Sequence, residues 1–196
     1  MKVPLVNYVE LLIPCILHLE NRVGEKLLTM ILRIGMDIWR STRKNYVEDI
    51  ETFFWTQVLG TAVSPAHWSL PHDGKSEADL CISKIPGRNE MIHHMVAKSD
   101  NIINACLPGN QEISGKLQHA VNCYRGAMRL LNKHCNLTED KVENFQNLAD
   151  EFFKIWVEMF GPEGVANYIH LIGSSHMLYF LQQIGCLYLC NQQGWE

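Results

Sequence analysis

The chain has 196 residues, of which 47% are hydrophobic and 19% are charged, so it can bury the core of a folded domain and is not dominated by disorder. Its 17 Lys and Arg against 21 Asp and Glu give a formal net charge of −4, which argues against a chain whose main role is to grip phosphate backbones. The 7 cysteines include no Cys-x-x-Cys pair, so reduced thiols and a nuclear or cytoplasmic location are expected rather than secretion. No apolar run reaches the roughly 18 residues of a membrane span.

The periodicity of the apolar residues predicts an all-α fold, an irregular bundle of about six to seven helices in a single domain over residues 1–196. In chain order, helices are predicted from just after Pro14 to about Arg40, after Asn45 to near Gly60, over 88–106, over about 111–133, from an N-cap at Thr138 to Gly161, and as two short helices in 164–185 with a break at 173–175. The interval 61–86 is rich in Pro and Gly and predicts a long irregular loop. The apolar residues 186–190 are interpreted as a short strand.

Two histidines flank the predicted break at Gly173. On an unbroken helix His170 and His176 would lie about 120° apart around the axis, too far for one metal ion. A break would let them converge as two ligands of a zinc site, which needs four. The alternative is two histidines that are hydrogen-bonded within the bundle.

Other candidate groups give weaker patterns. His67, His72 and Asp73 form a loose metal cluster in the long loop, the basis of a hypothetical zinc-dependent hydrolase. Cys186 and Cys190 lie among apolar residues and are interpreted as buried, inert thiols rather than ligands. The adjacent pair His93 and His94 points in directions about 100° apart, so one is expected to be partly buried and the other exposed.

Two segments resemble one protein family. Residues 15–28 are similar to the start of the helical insertion in cut-and-paste DNA transposases. The end of that insertion resembles three later segments: Asn167-Tyr168-Ile169-His170, His176 and Gln192-Gln193-Gly194-Trp195-Glu196. These enzymes carry three catalytic acids on an RNase H-like fold; the Transib group and the V(D)J recombinase are examples.

The resemblance implies roles for three residues. His170 and His176 match the two zinc-ligating histidines, and Glu196, which follows His176 by 20 residues, matches the third catalytic acid. The other two acids, the cysteine ligands of the zinc and essentially all of the RNase H-like core have no match in this sequence. In the family, Mg²⁺ or Mn²⁺ held by several carboxylates drives strand cleavage and transfer.

These features give two hypotheses. The first is a truncated or domesticated transposase-derived protein, not catalytic by itself, with an incomplete zinc site and weak or absent DNA contacts through Arg40, Arg43 and Lys44. The second is a helical protein–protein interaction module, or a homo-oligomer, that uses the apolar stripe of an end helix or an exposed face with Met91 and Met95. Neither hypothesis involves a membrane.

Overall fold

The computed structural model describes residues 15–42 and 88–190. Within these ranges the chain is all-helical, as the sequence predicts, with seven α-helices and no strand. The helices are α1 (Ile16–Thr42), α2 (Arg88–Ala97), α3 (Ser99–Cys106), α4 (Gln111–Leu131), α5 (Glu139–Phe160), α6 (Asn167–Gly173) and α7 (Ser175–Ile184). Two 3₁₀ turns, Pro162–Gly164 and Leu187–Cys190, follow α5 and α7.

The chain divides into two compact units, and the division passes through α1 and α4. The terminal unit comprises Met1–Glu20 and Cys123–Glu196, and the central unit comprises Asn21–Asn122. Of the described residues, the terminal unit therefore holds 15–20 and 123–190, and the central unit holds 21–42 and 88–122. No described helix is both long and apolar enough to cross a membrane.

Aliphatic packing builds the described part of the central unit. Val23, Leu27, Leu28 and Ile31 recur at three- and four-residue steps along α1, and all four are buried. A Cβ built at Gly35 would lie 2.8 Å from Cβ of Cys106, so α1 and α3 approach closely there. Burial raises the pKa of the Cys106 thiol to about 12.

The helix predicted over 88–106 is interrupted. It ends at Ala97 and a new helix begins at Ser99, with Lys98 between them. The buried Ser99 hydroxyl donates a hydrogen bond to the Val96 carbonyl, 2.7 Å away. Ser side chains compete in this way for backbone partners near helix ends, which makes the break physically reasonable.

Aromatic side chains pack among aliphatic ones in the core of the terminal unit. Phe152 lies 5.7 Å from Tyr124 and 5.8 Å from Trp156 between ring centroids, and Trp156 lies 4.7 Å from Phe160. Such tilted pairs add about 0.5–1.5 kcal/mol each beyond area burial. The indole Nε1–H of Trp156 donates to the Gly164 carbonyl at 3.1 Å, so the buried ring leaves no polar atom unsatisfied.

Polar contacts tie α1 to α4 inside the terminal unit. The Tyr124 hydroxyl donates to the Glu20 carbonyl at 2.8 Å, and Asn132 Nδ2 donates to the Glu20 carboxylate at 3.1 Å. Burial, and then the Glu20 charge, hold the pKa of Tyr124 well above its usual value. The hydroxyl therefore stays protonated and remains a donor.

Two expectations from the sequence are wrong. Residues 187–190 form a 3₁₀ turn rather than a strand. Met95 is buried at 1% exposure, so it does not contribute to an exposed methionine face, and the Met91 side chain lies outside the description. The helix predicted at 45–60 and the loop predicted at 61–86 also lie outside the described residues.

Candidate functional site

The chain breaks between α6 and α7, at the position that the sequence predicts. Helix α6 ends at Gly173, and Ser174 adopts an extended backbone (φ −97°, ψ 166°) before α7 begins at Ser175. A Cβ at Gly173 would overlap the ring of Phe153 on α5. Glycine is therefore the residue that lets this break pack against α5.

The break brings the two predicted metal-binding histidines together. The ring centroids of His170 and His176 are 5.8 Å apart and the ring planes meet at 69°. Both side chains are exposed, and neither forms a hydrogen bond with another described residue. Two imidazoles on a straight helix at this spacing would diverge by about 120°, so the break accounts for their approach.

A third polar group lies between them in sequence. The Ser174 hydroxyl oxygen is buried and has no hydrogen-bond partner among the described residues. Ser174 is the N-cap of α7, yet its side chain makes no capping bond. Buried polar atoms normally have a partner, which can be a water or an ion.

The fit of this group to zinc is partial. Nitrogen ligands at about 2.0–2.1 Å from a tetrahedral ion lie roughly 3.3 Å apart. Among residues 15–42 and 88–190, no group of three or more His, Cys, Asp or Glu side chains is placed to hold a metal ion. The described part of the chain thus brings together two imidazoles, whereas a structural zinc site requires four ligands.

The remaining predicted site residues divide into two sets. His93 is half-buried and His94 is exposed, as expected. Cys186 is buried, and its thiol donates a hydrogen bond to the Lys133 carbonyl at 3.3 Å. Several others lie outside the described residues: Glu196, His67, His72, Asp73, Arg43 and Lys44, together with the side chains of Arg40 and Cys190.

A groove that the sequence does not predict lies in the terminal unit between the start of α5 and the end of α7. It has a volume of about 740 Å³. The carboxylates of Glu139, Asp140 and Glu143 line it together with apolar side chains. The sequence gives no sign of a groove here, because acidic residues near the N-terminus of a helix are already accounted for by the helix dipole.

Comparisons with known proteins give no relatives for this chain. No protein-family model matches it, and neither a curated protein nor a solved structure is detectably similar.

Proposed function

We propose that this chain derives from the helical insertion of an RNase H-like, cut-and-paste DNA transposase. The parent reaction is cleavage and transfer of DNA strands at phosphodiester bonds. The chain matches one of the three catalytic acids, Glu196, and we infer that the 196 residues do not cleave DNA by themselves.

One observation carries this proposal: the approach of His170 and His176 across the α6–α7 break. The two residues matched to the zinc ligands by sequence resemblance have ring centroids 5.8 Å apart. Sequence position alone does not require two exposed residues in different helices to face each other. The all-helical character of the described residues also agrees with an insertion domain.

The zinc in this proposal has a structural role. The two imidazoles would supply two nitrogen ligands and would hold the C-terminal end of α6 against the N-terminal end of α7. Water, residues outside the described ranges or a partner would complete the coordination. A site with fewer protein ligands binds more weakly than a closed four-ligand site, so we expect zinc to exchange readily.

Plasmid nicking tests the inferred lack of catalysis. Supercoiled plasmid incubated with purified protein and Mg²⁺ or Mn²⁺ is expected to stay supercoiled, because a single matched carboxylate cannot hold the two metal ions of this chemistry. The comparison variants are Glu196→Ala and Glu163→Ala, the second removing an exposed carboxylate unrelated to the resemblance. Nicking that Glu196→Ala abolishes and Glu163→Ala preserves would show that the chain is catalytic.

A further inference from the structure

The groove in the terminal unit combines an apolar floor with an acidic rim. Leu137, Val142, Leu178 and Leu181 contribute apolar side chains. On one side, Glu139, Asp140 and Glu143 follow one another along the first turns of α5. No Lys, Arg or His lines the groove within the described residues.

The three rim carboxylates lack partners in the described part of the chain. All three are exposed, and none forms an ion pair or hydrogen bond with another described residue. Helix geometry places Glu139 and Glu143 about 6 Å apart along the axis, on the same face of α5. The rim therefore presents a row of negative charge at the spacing of one helical turn.

Backbone contacts fix the end of the groove. The Leu137 amide donates to the Gly185 carbonyl at 3.1 Å, which joins the segment before α5 to the end of α7. Gly185 has φ +78°, and a Cβ there would lie 3.0 Å from the Asn136 side chain. The groove is thus built from two helices and a backbone tie, and it exists before any partner arrives.

The walls also determine which backbone conformation a partner can use. Helices α5 and α7 bond their main-chain groups internally, and the groove offers no strand edge with which an extended peptide could pair. A peptide that bonds its own main-chain groups, as a helix does, therefore suits these walls better than one that needs strand pairing. Lys or Arg side chains at i and i+4 of that helix would match Glu139 and Glu143, while its apolar face would cover the leucines.

We propose that this α5–α7 groove is a docking site for a cationic amphipathic helix of a protein partner. The apolar floor supplies contact area, and the acidic rim selects positive charge and sets the orientation. The proposal does not depend on a transposase origin, because it rests on the shape and charge of the groove alone.

The test uses a labelled helical peptide of about 18 residues made of Lys, Leu and Ala, long enough to be helical. Lys occupies i, i+4 positions beside a Leu stripe. Fluorescence anisotropy with the full chain is expected to give saturable binding that weakens as salt is raised. A scrambled peptide of equal composition and a version with Glu in place of Lys are expected not to bind. Equal binding of the scrambled peptide would overturn the proposal, since charge alone would then explain the attraction.

Matched variants locate the binding. Glu139→Gln with Glu143→Gln is expected to weaken binding about tenfold, because two ion pairs are lost at the rim. The control pair Glu112→Gln with Glu163→Gln removes the same charge from exposed positions outside the groove and is expected to change affinity less than about twofold. An equal loss of peptide affinity in the rim double variant and in the control double variant would contradict docking in the groove.

Leu178→Ala gives an independent measurement on the floor. Leu178 is only half-buried, so the variant is expected to fold, with an unchanged circular dichroism spectrum. Its affinity for the Lys-Leu peptide is expected to fall about fivefold through lost apolar contact. An unchanged affinity in the folded variant would contradict the proposal.

Discussion

The terminal and central units differ in how they use their surfaces. In the described residues, the central unit buries aliphatic side chains and keeps Cys106 inaccessible. The terminal unit carries the facing histidines and a groove with an acidic rim. It also has the exposed aromatic Tyr179, at 49% exposure. Among the residues that the structure describes, both the histidine pair and the groove lie in the terminal unit.

Thiol reactivity is expected to differ between the two units by a large factor. Cys135 of the terminal unit is exposed, whereas Cys106 of the central unit is buried with a pKa raised to about 12. In native protein at pH 8, iodoacetamide is expected to modify Cys135 at least about a thousandfold faster than Cys106, because burial removes both access and thiolate. Peptide mass spectrometry measures both rates.

The control is the same reaction in denaturant, where the two rates are expected to be similar. Rapid labelling of Cys106 in native buffer would contradict the tightly packed contact between α1 and α3 at Gly35.

One glycine substitution in each unit is expected to change stability in opposite directions. Gly173→Ala is expected to lower the free energy of unfolding by about 1–3 kcal/mol, because its Cβ overlaps Phe153. Gly115→Ala, on α4 in the central unit, meets nothing within 4 Å and is expected to raise stability by about 0.5–1 kcal/mol through better helix propensity. Urea unfolding measures both values.

Gly173→Ala is also expected to separate the two histidines, since the break must shift to admit the methyl group. A Gly173→Ala protein as stable as the wild type would show that the close approach of the α6–α7 break to Phe153 is not required.

The helices that the sequence predicts well have clear signals at both ends. Helix α5 begins after Thr138 and ends at Phe160, and its C-cap Gly161 has φ +68°, where the chain turns. Even here the cap was only partly predicted, because Thr138 occupies the N-cap without a side-chain hydrogen bond. The break at Lys98 was missed because neither Lys98 nor Ser99 is a strong helix breaker.

The candidate site was predictable only in part. The glycine and two serines at 173–175 indicated the break, and the histidines on either side indicated a possible approach. The groove was not predictable, because it depends on the start of α5 lying beside the end of α7, and helical periodicity does not specify which helix ends are neighbours. The same limit applies to the overlap between Gly173 and Phe153.

Zinc binding to the untagged 196-residue chain decides whether His170 and His176 form a metal site. Competition with a chromophoric chelator is expected to show one bound zinc ion per chain. His170→Gln or His176→Gln is expected to lower the zinc affinity at least about tenfold, since each removes a ligand. The control variant His94→Gln alters an exposed histidine of the central unit and is expected to leave zinc affinity unchanged. Equal zinc affinity in wild type, His170→Gln and His176→Gln would contradict the claim that these facing histidines form a metal site.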